Sequence, residues 1–127
     1  MIKMIVLLKR KAGLTRDQFI ARYEGGHAKL AEKHLTNAVR YVRRYLEPLP
    51  ELFTGDTIEP EHDVITEVWF ENQEQYEIAM KRLAQPEVVA EIVEDEETLF
   101  ERDKHRVFMV DERDSACGQT AFAPAVP

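Results

Sequence analysis

One histidine lies on an otherwise apolar helical stripe, and its side chain is the clearest chemical lead in the sequence. Phe19, Tyr23 and His27 recur every four residues, so a helix places them on one face. Leu30 and His34 extend the same stripe. Because an imidazole titrates near neutral pH, His27 in a pocket would suit general acid–base chemistry. The pattern marks this helix face as the first candidate site.

Two interpretations of His27 are open from the residues alone. In the first, the imidazole lines a pocket and moves a proton. In the second, it caps a carbonyl at a helix end or satisfies a buried polar group. Gly25 and Gly26 precede it, and each weakens a helix by roughly 1 kcal/mol relative to alanine. We therefore expect the helix to kink or restart just before His27.

Glu67 is the second residue that could transfer a proton. It stands between Ile65 and Trp69 on one face of a predicted strand. Burial there would raise the pKa of the carboxyl and suit it to proton transfer. The alternative is a structural ion pair with Arg43 or Arg44 of the neighbouring strand.

Several aromatic side chains could hold or enclose a ligand. Tyr41 and Tyr45 offer hydroxyl donors for a carbonyl or phenol, or else serve only in amphipathic sheet packing. Trp69 and Phe100 are candidate pocket walls, or simply core residues.

The pattern of metal-binding residue types gives little support to a metal site. The four histidines show no i, i+4 pair and no His-Glu-x-x-His motif, so only tertiary convergence could build one. The single Cys117 excludes an intrachain disulfide and a cysteine-based zinc cluster. There is also no glycine-rich phosphate loop and no nucleophile elbow. We predict neither a metal nor a cofactor.

The spacing of apolar residues along the chain predicts the strands and helices that position these residues. Strands are predicted at Ile2–Leu8, Ala38–Leu46, Asp63–Phe70 and Arg106–Asp111. One helix starts at Thr15 and others at Asn72 and Pro86, each with a helix-start signal. We expect the acidic cluster Glu94–Glu97 on the solvent face of the last helix. The order β-α-β-β-α-β predicts an α+β, ferredoxin-like fold, with helices on one face of a four-stranded antiparallel sheet.

The predicted sheet has one face without a cover. The first and last strands are apolar on both faces, with Val107 and Met109 against Phe108 and Val110 on the last. Helices cover only one face, and a large exposed apolar face usually marks a site of protein association. We predict a homodimer through sheet faces. We expect residues 1–113 to form the domain and residues 114–127 to form a flexible tail or an arm onto the partner.

Composition limits the possible partners and compartments. The 127 residues carry a net charge of −7, which disfavours nucleic acids and anionic membranes. The longest apolar run, Met4 to Leu8, is too short to cross a membrane, and no signal-peptide pattern is present. We therefore expect a cytoplasmic protein.

In four stretches the sequence resembles the EthD family of dimeric α/β-barrel proteins. These are IVLLKRKAGLT, the Phe-x-x-x-Tyr-x-x-x-His helix from Phe19 to His27, DVITEVWFE, and DEETLFERDKHRVFMVDE from Asp95 to Glu112. The resemblance implies two sheets paired into a barrel, with a pocket between sheet and helices. It relates the chain to cofactor-free monooxygenases, polyketide cyclases, lactone isomerases, dehydratases and haem-degrading enzymes. The chain departs from the family at Gly25-Gly26, where bulkier residues are more usual.

Residues and resemblance together predict a cofactor-independent lyase, dehydratase, cyclase or isomerase acting on an aromatic or polyketide-like carbonyl compound. His27 would move the proton, and Glu67 or Tyr45 would orient the imidazole or stabilise an oxyanion. The predicted pocket walls are Phe19, Tyr23, Trp69 and Phe100. The alternatives are a non-catalytic protein that binds a hydrophobic metabolite and a cofactor-free monooxygenase.

Overall fold

The computed structural model describes residues 1–118 and contains a four-stranded sheet. The strands are β1 (Ile2–Leu8), β2 (Arg40–Tyr45), β3 (Val64–Phe70) and β4 (Arg106–Met109). The helices are α1 (Arg16–Arg22), a π-helical segment (Tyr23–His27), α2 (Ala28–His34), α3 (Gln73–Leu83) and α4 (Pro86–Leu99), followed by a 3₁₀ turn (Arg102–Lys104).

The sheet has the strand order β2-β3-β1-β4, and every neighbouring pair is antiparallel. This order and the sequence of elements confirm the predicted ferredoxin-like fold. Pairing of Met4 with Val68 and of Leu8 with Val64 sets the register of the central strands, β1 and β3. The same register turns Thr66 and Val68 toward the helices and Glu67 and Trp69 to the other face.

Side-chain caps begin the helices where the sequence predicts. Thr15 accepts a hydrogen bond from the Gln18 backbone, and the Gln18 side chain accepts one from the Thr15 backbone. The Asn72 side chain caps α3 by accepting a hydrogen bond from the Gln75 backbone N–H. Pro86 opens α4, where its missing N–H costs nothing. These signals are local, which is why the sequence alone locates them.

The first helix does not end at Gly25-Gly26. It widens instead into the π-helical segment, in which the Ala28 N–H donates to the Tyr23 carbonyl five residues earlier. Such single-turn widenings often accompany functional sites. Here the segment buries both Tyr23 and His27 against the sheet.

Two apolar clusters fill the space between sheet and helices. In the first, Phe19 and Tyr23 of the first helix pack on Leu8, Val64 and Phe100. The second centres on Met4, Val68 and Phe70 of the sheet with Ala79 of α3. The two clusters hold the helices on the sheet. The cavity of the candidate site lies between them.

The sheet face opposite the helices is only partly apolar. Trp69 lies on it but is buried, because the Lys3 ammonium and the Arg40 guanidinium cover its ring at 3.9 and 4.7 Å. On strand β4, Phe108 lies on this face and is 49% exposed, whereas Val107 and Met109 pair with Val6 and Met4 and therefore lie on the helix side, at the exposed edge of the sheet. The exposed apolar surface predicted for this strand is confirmed within the single chain.

Three predicted strands are shorter in the structure, and β3 loses only its first residue, Asp63. Strand β2 begins at Arg40 rather than Ala38, and β4 ends at Met109 rather than Asp111. Hydrogen bonds from Val39 to Trp69 and from Leu46 to Asp63 still continue the pairing beyond β2.

The predicted tail falls mostly outside the described part of the chain. Residues 114–118 are exposed and lack regular structure, and residues 119–127 lie outside the described residues. The predicted domain boundary at residue 113 therefore stays a prediction. None of the helices described here is long and apolar enough to cross a membrane.

The π-helical segment should not depend on its glycines. A Cβ built at Gly25 or Gly26 meets nothing within 4 Å, and neither glycine has a positive φ. We expect Gly25→Ala and Gly26→Ala to leave the free energy of unfolding unchanged or to raise it by up to about 1 kcal/mol each. Urea unfolding measures this.

Gly13 supplies the matched control, because its φ is +94°. Gly13→Ala forces a side chain into the left-handed region and should cost about 1 kcal/mol or more. A comparable loss from either of the other two substitutions would show that the segment requires glycine.

Candidate active site between sheet and helices

A cavity of about 150 Å³ lies between the helix-covered face of the sheet and the helices. Most of its lining is aliphatic, from strands β1 and β3 and from helices α2, α3 and α4. The polar side chains that line it are Tyr23, His27, Tyr41, Thr66 and Glu96. A few convergent polar groups on an apolar wall are typical of a small-molecule site.

His27 is held in this cavity by a carboxylate. The side chain is 8% exposed, and its Nδ1 lies 2.7 Å from an Asp95 carboxylate oxygen on α4. A carboxylate only accepts hydrogen bonds, so Nδ1 carries the proton that it shares with Asp95. Within residues 1–118, Nε2 makes no hydrogen bond. Neutral His27 therefore has its free lone pair on Nε2, the nitrogen that a general base needs.

Two aromatic rings fix the plane of the imidazole. The Tyr23 ring and the Phe100 ring each lie 5.1 Å from the His27 ring, almost perpendicular to it. These edge-to-face contacts, added to the Asp95 hydrogen bond, restrict rotation of the side chain. The imidazole is thus oriented before any ligand arrives.

Three hydroxyl groups form a hydrogen-bonded chain on the sheet side of the cavity. The Tyr23 hydroxyl lies 2.6 Å from Thr66 Oγ1 and 3.1 Å from the Tyr41 hydroxyl. We call this chain the hydroxyl relay (Thr66, Tyr23, Tyr41). Burial raises the pKa of both phenols above their usual value of 10.0. The two phenols therefore stay protonated and can donate hydrogen bonds.

An ion pair supports the relay from the side of the first helix. Arg43 binds the Glu24 carboxylate through Nε and Nη2, and the Tyr45 hydroxyl donates to the same carboxylate. The Arg43 guanidinium also lies 4.8 Å from the centre of the Tyr41 ring. The Arg43 hydrogen bonds lower the pKa of Glu24, although partial burial opposes this.

The structure brings together only some of the residues predicted from the sequence. His27 and Tyr23 line the cavity, and Phe100 packs on His27. Phe19 is fully buried core behind Tyr23. Tyr45 is bound to Glu24 and does not line the cavity. The predicted aromatic walls are therefore largely replaced by aliphatic side chains.

Glu67 and Trp69 lie on the opposite face of the sheet from His27. Glu67 accepts hydrogen bonds from Arg44 Nε at 2.6 Å and from Trp69 Nε1 at 3.1 Å. Burial alone would raise its pKa, but these two hydrogen bonds outweigh it and the pKa is lowered. Glu67 is thus the ion-pair residue of the alternative interpretation, and the residue that orients His27 is Asp95. Glu67 lies away from His27 because neighbouring residues of a strand face opposite sides of the sheet.

Sequence reasoning missed Asp95 and Thr66. Asp95 belongs to the acidic cluster expected in solvent, yet its side chain is only 33% exposed. A usable signal existed, because Asp95 follows the cavity residue Ile92 by three positions and precedes buried Leu99 by four. Thr66 shares its strand face with Val64 and Val68, which identifies it as inward-facing.

Two further titratable groups border the site. Glu96 lines the cavity and lies 3.3 Å from Arg102. The His105 ring also packs on Phe100, and the centres of these two rings are 5.3 Å apart. Burial lowers the pKa of His105, so its neutral form is favoured. Among the described residues, no group of three or more His, Cys, Asp or Glu side chains could hold a metal ion.

Comparison of the sequence with known protein families identifies a match. The sequence matches the EthD domain over residues 11–103. No curated protein matches the chain.

Three solved structures share the fold at low sequence identity. An EthD family protein from Bacillus halodurans is 15% identical, with a TM-score of 0.59 over 89% of this chain and 100% of its own. A protein from Arabidopsis thaliana is 18% identical, with a TM-score of 0.58 over 92% and 100%. A dimeric ferredoxin-like protein of unknown function from Thermobifida fusca is 13% identical, with a TM-score of 0.53 over 86% and 88%.

The Glu24–Arg43 pair should make stability depend on acid pH. The folded pKa of Glu24 lies below its ordinary value of 4.5, so the pair stabilises fully above that pH and is lost as the pH falls through the folded pKa. We expect Glu24→Gln to reduce the loss of unfolding free energy between about pH 5 and about pH 2. Urea unfolding at several pH values measures it.

Glu47→Gln removes one exposed carboxylate and controls for the change in net charge. An acid dependence of Glu24→Gln that matches both wild type and this control would contradict the assigned ion pair.

Proposed function

The chain belongs to the EthD family, and from that premise we propose that it is a cofactor-independent enzyme that transfers a proton on a small carbonyl compound. One observation carries the proposal: Asp95 holds Nδ1 of His27 at 2.7 Å in a cavity of aliphatic side chains. This arrangement supplies a general base with a fixed tautomer. The hydroxyl relay supplies donors for the carbonyl oxygen.

The proposed chemistry begins with removal of a proton next to the carbonyl. His27 Nε2 takes the proton, the C–H electron pair forms a carbon–carbon double bond, and the carbonyl π pair moves onto oxygen. A hydrogen bond from the relay stabilises the resulting enolate. The Asp95 carboxylate stabilises the imidazolium that forms at the same time.

The fate of the enolate decides the reaction class. Return of the proton from the imidazolium to another carbon gives an isomerase. Loss of a β-hydroxyl group, which leaves as water with that proton, gives a dehydratase. Attack of the enolate carbon on a second carbonyl gives a cyclase, and the imidazolium then protonates the new alkoxide. All three use the same first step, so the experiment addresses that step.

Hydrogen–deuterium exchange at carbon tests the first step without the natural substrate. Cyclohexanone and 2-cyclohexenone in D₂O, followed by proton NMR, should lose their α-proton signals faster with the protein than in buffer. We expect His27→Ala to lower the enzyme-catalysed rate by about 10²–10⁴-fold. Asp95→Asn should lower it as well, because a neutral amide cannot stabilise the imidazolium by its charge.

His62→Ala is the matched control. That imidazole binds the Lys104 carbonyl away from the cavity, so its loss should leave exchange unchanged. Binding of the probes without catalysed exchange would instead support a protein that binds a hydrophobic metabolite. Exchange that survives in His27→Ala would refute the catalytic role of this histidine.

We further infer that two copies associate through the sheet faces that the helices leave uncovered. The half-exposed Phe108 of β4 lies on this face and supports the pairing, and related ferredoxin-like structures are dimeric. Sedimentation at micromolar concentration should show a dimer, and Phe108→Glu should shift it toward monomer. Ile78→Glu, on α3, is the matched control because Ile78 is 39% and Phe108 49% exposed.

A well-folded wild-type monomer at that concentration would contradict the proposed pairing. Loss of the dimer in both variants would place the contact elsewhere than on the sheet face.

A further inference from the structure

The loop that joins β2 to β3 (residues 47–61, called the β2–β3 loop) carries a group of uncovered apolar side chains. Four large ones are between 78% and 92% exposed, namely Leu49, Leu52, Phe53 and Ile58. Single exposed apolar residues are ordinary, whereas several on one segment mark a contact with another molecule. Neither the helices nor the sheet of the same chain covers these four side chains.

The tip of the β2–β3 loop is held in a fixed shape. The Glu51 carboxylate accepts hydrogen bonds from the backbone N–H groups of Phe53 and Thr54, at 2.8 and 2.6 Å. The Glu51 N–H donates to the Asp56 carbonyl, and the Gly55 N–H donates to the Glu51 carbonyl. A loop that is ordered before it binds loses little conformational freedom on binding, which favours its use as a contact surface.

The charge of the β2–β3 loop narrows the choice of partner. The loop contains no Lys or Arg and five carboxylates, on Glu47, Glu51, Asp56, Glu59 and Glu61. Nucleic acids and anionic membranes would repel such a segment. Its partner therefore needs a surface that is both apolar and positively charged.

The sheet face that the helices leave uncovered is such a surface. The strand register places four cations on it, namely Lys3, Arg40, Arg44 and Arg106. Only two carboxylates oppose them, since Glu67 binds Arg44 and Glu112 binds Lys3. The face thus has a net charge of +2, although the whole chain carries −7.

The same face also supplies apolar contact area. Phe108 is 49% exposed there, and Ile5 and Leu7 of β1 are partly exposed beside it. Two such faces placed directly against each other would bring like charges together, whereas the β2–β3 loop of a second copy brings the opposite charge. In a two-fold dimer this contact is made twice.

Electrostatics also select the end of the face that the second copy's loop occupies. The β2–β3 loop leaves the sheet where β2 ends at Tyr45 and β3 begins at Val64. Two acidic loops at one end of the dimer would repel each other, so each loop meets the opposite end of the other sheet. At that end Lys3 and Arg40 cover the Trp69 ring, and within residues 1–118 Arg40 forms no ion pair.

We propose that the β2–β3 loop of each copy packs on the Arg40 end of the uncovered sheet face of a second copy. Leu52 and Phe53 supply the apolar contact, and the loop carboxylates lie beside the cations. This inference rests on the pairing of sheet faces proposed above and specifies which segment completes the contact.

The apolar part of the contact is tested by removing the two most exposed side chains of the loop tip. We expect the double variant Leu52→Ser with Phe53→Ser to raise the dimer dissociation constant at least about tenfold, as loss of a central apolar anchor does. Both side chains are more than 90% exposed in the single chain, so folding should not change. Val89→Ser, on α4, is the matched control, and sedimentation over a dilution series measures all three proteins.

The charged part of the contact is tested by reversing each side separately. One variant carries Glu47→Lys, Asp56→Lys and Glu61→Lys in the loop, and the other carries Arg40→Glu in the sheet face. Each should weaken its own homodimer. In an equimolar mixture, native mass spectrometry should show more heterodimer than random pairing gives, because the unchanged loop of one variant meets the unchanged face of the other.

Arg106→Glu is the matched control for position. It reverses one charge on the same face, at the end where the loop of its own chain begins. It should not weaken the homodimer, and its mixture with the loop variant should show no excess of heterodimer. A loss of affinity equal to that of Arg40→Glu would overturn the assigned position of the loop.

The proposal is also overturned if the loop variants dimerise as wild type does, or if mixing gives only the random share of heterodimer. Either result, with a dimer that Phe108→Glu still dissociates, leaves the pairing of sheet faces standing. An excess of heterodimer together with a dimer that Phe108→Glu does not affect would refute the pairing through β4 and leave the loop contact standing. A wild-type monomer would refute both.

Discussion

The hydrogen bond between His27 and Asp95 is the interaction on which the candidate site depends. It joins the π-helical segment to α4, two elements that are 68 residues apart in the chain. Without it, the imidazole could rotate and exchange its proton between two nitrogens, and the cavity would lose a defined acceptor. The aromatic rings of Tyr23 and Phe100 confine the ring, but only Asp95 selects the tautomer.

The sheet side of the cavity contributes hydrogen-bond donors, which complement the base on the helix side. Its inward register places Thr66 and Tyr41 beside Tyr23, so that the first helix and the sheet together build the relay. Burial keeps both phenols protonated, and Arg43 polarises the outer one. An oriented base and a set of oriented donors, separated by aliphatic walls, are what enolate chemistry requires.

The fold could be predicted from the sequence because its determinants are local or periodic. Caps at Thr15 and Asn72, the proline at Pro86 and four segments with strand-like residue patterns define the element order. The site could be predicted only in part, because its partners meet through tertiary packing. Helical periodicity identified His27. Glu67, however, lies on the opposite face of the sheet, because successive strand residues alternate between the two faces. The π-helical widening was not predictable either, since two glycines indicate a weak helix without specifying how it deforms.

Nitrogen NMR of the His27 side chain tests the central claim most directly. Long-range ¹H–¹⁵N correlation spectra distinguish a protonated from an unprotonated ring nitrogen. At neutral pH, neutral His27 should show a protonated Nδ1 and an unprotonated Nε2, and Asp95→Ala, which removes the acceptor, should abolish this preference. A wild-type spectrum with the proton on Nε2 would contradict the account, because the cavity would then have no base.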